Sequence, residues 1–157
     1  ETKDNVCLSK IYFQYKELLE KYDAIISEDT DNLMAPLNDE LLNYELVKML
    51  NIPIALVSSP CDDWCERIMY SINCLQNMVI TLRGIILSRF PKNPNQSILS
   101  LPEYIEKYTT CPILGIIKEF EDDSYIPTKE LAYMILKNID MSKLMGQKIY
   151  YPSYVNL

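Results

Sequence analysis

The sequence predicts an α/β fold in which a parallel β-sheet is flanked by helices. Three observations carry that expectation. Short aliphatic runs without polar alternation, the clearest being Ile52-Pro53-Ile54-Ala55-Leu56-Val57, have the composition of strands covered by helices on both faces. Amphipathic segments lie between these runs and are long enough to serve as crossovers. The length of 157 residues suits one domain with a real core, so residues 1–157 are read as a single domain.

Residues 6–22 place Leu8, Ile11, Tyr12, Tyr15, Leu18, Leu19 and Tyr22 on one helical stripe. Ala24-Ile25-Ile26-Ser27 reads as a short buried strand running into the polar turn Glu28–Asn32. Asn38 or Asp39 is placed to cap a second helix whose Leu42, Leu46, Val47 and Leu50 face inward. The strand Ile52–Val57 ends at Ser58-Ser59-Pro60. Asp62 or Asp63 then caps a helix reaching Asn77, with Ile68, Ile72, Leu75 and Val79 on its apolar stripe. Arg83–Ser88 gives a third strand and Pro91–Gln96 a polar loop. Pro102 suits the first turn of a short helix carrying Tyr104, Ile105 and Tyr108. Pro112–Ile117 forms a fourth strand that Gly115 could interrupt, and the acidic Glu119–Asp123 segment could begin a loop. Thr128 caps a last helix with Leu131, Met134, Ile135 and Ile139.

Composition excludes several function classes. The net charge of −7, from 22 acids against 15 bases, opposes a surface for a phosphate backbone, so nucleic acid is not an expected partner. No stretch approaches the roughly 20 apolar residues of a membrane span. The sequence starts at Glu1 without an initiator Met, so upstream residues are expected to have been removed or not included. Five scattered cysteines and no secretory signal suggest reduced thiols in a cytoplasmic or organellar-matrix setting. The sequence has no histidine, which removes the usual general base and every Ser-His or Cys-His nucleophile system. Three glycines (Gly84, Gly115, Gly146), against roughly 7% in an average protein, cannot build a glycine-rich phosphate loop.

Ligands of open parallel sheets bind beyond the carboxyl ends of the strands. Four segments are expected there: Glu28–Asn32, Ser58–Trp64, Ser88–Pro91 and Ile117–Phe120. Glu28, Asp29 and Asp31 could seat a hard cation such as Mg²⁺, or could simply form a turn whose side chains bond the local backbone. Asp29-x-Asp31 also matches a phosphatase-like signature, although no downstream acidic pair follows a strand. The Ser58–Trp64 corner would favour anions through its helix start, but Asp62, Asp63 and Glu66 oppose that. Trp64 reads as a packing or interface residue. The twelve tyrosines, among them Tyr150, Tyr151 and Tyr154, suit either an interface or ordinary half-burial.

The run Tyr22–Glu28, four turn residues, and then Leu33-Met34-Ala35-Pro36-Leu37 resembles dethiobiotin synthetase. That family has an apolar strand, then Glu-Gly-Ala-Gly-Gly, a hydrophobic pair and Pro-Leu. Leu50–Val57 and Leu82–Leu87 resemble its following strands. Pro112-Ile113-Leu114-Gly115 is similar to its late Pro-x-Leu-Gly turn, and the tail from Lys148-Ile149 to Asn156-Leu157 is similar to its closing segment. The resemblance covers nearly the whole chain but only the second half of the family's domain, whose phosphate loop lies in the first half.

The resemblance implies a P-loop NTPase-like half or remnant. By family it also implies an ATP- and Mg²⁺-dependent enzyme of biotin synthesis, which carboxylates diaminopelargonate, phosphorylates the carbamate and closes the ureido ring. A homodimer with substrate near the subunit interface is implied too. Glu28 falls on the family's metal-binding glutamate, and Ser88, Pro112, Leu114 and Gly115 fall on nucleotide-side positions. Several positions depart from the pattern. Asp29, Thr30, Asp31 and Asn32 replace Gly-Ala-Gly-Gly, where bare backbone would approach phosphate and substrate. The family's glycine- and asparagine-bearing helix start becomes Asp63-Trp64-Cys65-Glu66, and its adenine-reading asparagine becomes Ser88, followed by Arg89. The expectation is a degenerate, non-catalytic relative that binds a protein partner or a second copy. The alternative is the C-terminal part of a working synthetase whose N-terminal part is missing or on another chain.

Overall fold

The computed structural model describes residues 7–28, 33–61, 63–120 and 127–150. Backbone contacts divide the chain into two compact units, Glu1–Pro53 and Ile54–Leu157.

In the first unit the predicted stripe forms helix α1 (Leu8–Lys21), which ends with Tyr22 N–H donating to Leu18 O at 2.9 Å. The expected strand Ala24–Ser27 does not form: the segment is irregular, and Ile26 is 83% exposed. An apolar run becomes a strand only where neighbouring backbone takes up its N–H and C=O groups, and no described residue pairs with this one. The turn residues Asp29–Asn32 lie outside the described residues. Asn38 does not cap a helix; its Oδ1 accepts from Glu40 N (2.9 Å) and Leu41 N (2.8 Å), closing a local turn beside the Pro36–Leu42 bridge. Helix α2 (Asn43–Leu50) starts after that turn, where the Glu45 carboxylate accepts from Leu42 N at 2.8 Å. Asn51 ends it in the left-handed conformation that asparagine tolerates, with φ at 53°.

The second unit holds a three-stranded parallel sheet in the order β1-β2-β3, with β1 at Ile54–Ser58, β2 at Leu82–Phe90 and β3 at Ile113–Lys118. Helix α3 (Trp64–Asn77) links β1 to β2 and helix α4 (Gln96–Tyr108) links β2 to β3. Helices α5 (Thr128–Asn138) and α6 (Met141–Met145) follow. Side chains of β2 alternate between two cores, as strand geometry dictates. Ile85 and Leu87 join Trp64, Ile68 and Ile72 of α3 and Leu101 and Ile105 of α4. Ile86 faces the other way, onto Leu114 and Ile139 and beneath Met141 and Leu144. Gly115 does not break β3, although the ladder shifts register there, Ile85 pairing with Ile113 and Ile86 with Gly115.

Three further helices depart from their expected bounds. Pro127, not Thr128, holds the cap position of α5, and Ile139 lies just past its end. Helix α3 stops at Asn77, and Val79 leaves the apolar stripe. Its N–H bonds Gln76 O, Ile80 N–H bonds Leu75 O, and Val79 sits at φ 58° and 82% exposed. This is a Schellman-type ending, and Ile80 takes the buried place instead. Helix α4 begins six residues before Pro102, because Asn95 Oδ1 accepts from Ile98 N at 2.9 Å and sets the start. Pro102 is therefore interior to the helix.

Candidate functional site at the carboxyl end of the sheet

Parallel pairing brings three of the four expected segments to one end of the sheet. At the end of β1, Ser58 Oγ accepts a 2.8 Å hydrogen bond from Trp64 Nε1. That bond ties the first turn of α3 to the strand. The Trp64 ring is buried and packs at 5.8 Å, tilted by 53°, on the Phe90 ring from the end of β2. Both rings belong to the core that β2 shares with α3 and α4. Trp64 is a packing residue here, one of the two roles, packing or interface, that the sequence left open.

Ser88 is half-buried near the end of β2. The next residue, Arg89, takes a left-handed backbone (φ 53°), and the ladder with β3 skips from Leu87 to Phe90, which pairs with Lys118. A non-glycine residue in this region is uncommon. The bulge turns Phe90 into the core, where a regular strand would have carried it to the opposite face. Beyond it Glu119 N–H donates to Phe90 O at 2.9 Å, and Glu119 Oε1 accepts from Lys92 N at 3.0 Å. These bonds clamp the β2 and β3 ends together, a contact the sequence did not signal.

A shallow cleft of about 250 Å³ opens beside this clamp, lined by Ile117, Lys118, Glu119, Phe120, Met134 and Asn138. The expected segment Ile117–Phe120 forms one wall, and α5 supplies Met134, which the sequence placed only on a helix, and Asn138, which it did not single out. The Asn138 amide is engaged locally, donating to Met134 O at 2.8 Å.

The other nucleotide-side candidates sit lower on the sheet. Pro112 precedes β3 at its amino end, and its carbonyl accepts from Ile85 N at 2.9 Å. Leu114 is buried in the second core, with its carbonyl accepting from Asp140 N at 2.7 Å. Gly115 packs against the backbone of Asn138 and Ile139, where any Cβ would collide. Ser88 and these three residues therefore occupy different levels of the sheet.

Glu28 belongs to the first unit and is exposed. Among the described residues no group of three or more His, Cys, Asp or Glu side chains could hold a metal ion. Its companions Asp29 and Asp31 lie outside the described residues. Cys65, on the first turn of α3, has its thiol pushed up by burial and then by the charge of Glu66.

A family model described as an AAA domain matches residues 1–124. The chain belongs to this family. Curated relatives that it resembles include ATP-dependent dethiobiotin synthetases. The ATP-dependent dethiobiotin synthetase BioD of Bacillus subtilis (strain 168) is 22% identical over 142 residues, covering 90% of this chain and 60% of the relative. That of Bacillus licheniformis is 25% identical over 133 residues, covering 85% and 55%. That of Methanocaldococcus jannaschii is 30% identical over 114 residues, covering 72% and 53%. This dethiobiotin-synthetase-like chain thus spans between about half and three-fifths of the length of these relatives. Its parallel sheet with flanking helices is P-loop NTPase-like. No described helix is long and apolar enough to cross a membrane.

Proposed function

We propose that this dethiobiotin-synthetase-like domain does not catalyse and serves as a structural or interaction module. The observation that carries this reading is the use made of the glycines. A Cβ on Gly84 would lie 2.6 Å from Pro112 O and from the Leu114 side chain. Gly115 is pressed on Asn138 and Ile139, and Gly146 provides the left-handed cap of α6 with φ at 68°. All are consumed in packing or capping, so none lends bare backbone to a phosphate. The turn after Glu28 carries acids where the resemblance expects glycine, and repulsion between those carboxylates and a phosphate adds to the steric obstacle.

A module needs surface to offer, and Phe13, Leu18, Leu19 and Tyr22 of the α1 region are between 41% and 65% exposed. That supports a protein partner or a second copy. The five free cysteines support a reducing compartment.

One feature favours the alternative, the C-terminal part of an active ATP- and Mg²⁺-dependent synthetase. Glu28 keeps the glutamate at the family's metal-binding position. Calorimetry separates the two readings. The module predicts no heat on titrating ATP with Mg²⁺ to millimolar concentrations, and an unchanged biological role for Glu28→Gln. Saturable binding that Glu28→Gln weakens establishes the alternative.

A further inference from the structure

We draw no further inference here: the strongest candidate, the exposed apolar surface that Leu18, Leu19 and Tyr22 of the α1 region form with Ile26, carries nothing because no observation in the structure shows what covers it.

Discussion

Val79 holds a left-handed backbone that its branched Cβ resists, yet its side chain is 82% exposed and packs on nothing that would compensate. The conformation is imposed by the two hydrogen bonds that close α3. Val79→Gly removes the conflict and is expected to raise unfolding stability by about 1 kcal/mol in urea titrations. Gly115→Ala has the opposite outcome. The added methyl meets the backbone of Asn138 and Ile139, which cannot swing aside as a side-chain tip could. A loss of roughly 1–3 kcal/mol is expected. Cys111 offers a pH test. Burial pushes its thiol up to about 11 from an ordinary 9.0. The folded state thus holds the proton that the unfolded chain releases first, and this contribution is complete below pH 9 and declines as pH rises toward 11. Thiol-exchange kinetics at pH 8 should accordingly show Cys7, Cys61 and Cys74, all exposed, labelled well before Cys111. Equal rates would mean that the pocket around Cys111 opens readily.

Helix α4 shows how local signals compete at the scale of an element. Proline at a first turn is the commoner arrangement, and Pro102 suggests a start there. Asn95 has the stronger effect, because its side chain satisfies an orphan N–H and leaves Leu101 and Ile105 to reach the core together. Asn95→Ala should lower stability by about 1 kcal/mol. Pro102→Ala restores a backbone donor in the helix interior and should raise stability, read from the same denaturation curves. Strands β1, β2 and β3 were legible because aliphatic runs flanked by turn residues suit few environments other than a covered sheet. Ala24–Ser27 had the same composition and was misread for that reason. Its hydrogen-bonding partner is a matter of neighbouring backbone, which composition does not report. Helix α6 escaped notice because five residues are too few to show a period; its cap, Asp140 Oδ1 accepting from Lys143 N at 3.0 Å, was the available signal.

Every buried hydrophobic residue among those described lies between Trp64 and Ile139, within the second unit. A polypeptide covering Ile54–Leu157 is therefore expected to unfold cooperatively by itself, with a sigmoidal urea transition followed by circular dichroism. Residues 1–53, whose helices bury no side chain fully, should show no such transition in isolation. A sloping, featureless curve for Ile54–Leu157 would refute this division of stability. The carboxyl-end site divides similarly between what the sequence shows and what it does not. Four candidate segments followed from strand ends, and three of them converge in the second unit. The Trp64–Phe90 pair, the Arg89 bulge and the Glu119–Lys92 bond that shape their surroundings join residues far apart in the chain.

From sequence alone came the α/β class, the three paired strands, the scarcity of glycine, the absence of histidine and the family resemblance. Each depends on residue type, local spacing or segment order. Only the tertiary structure decided that Trp64 packs on Phe90 in the core, that Leu114 and Gly115 are spent on packing, and that Ala24–Ser27 pairs with no described strand. Those outcomes turn on which distant atoms compete for the same space and the same hydrogen bonds, and that competition is settled only when the chain is folded.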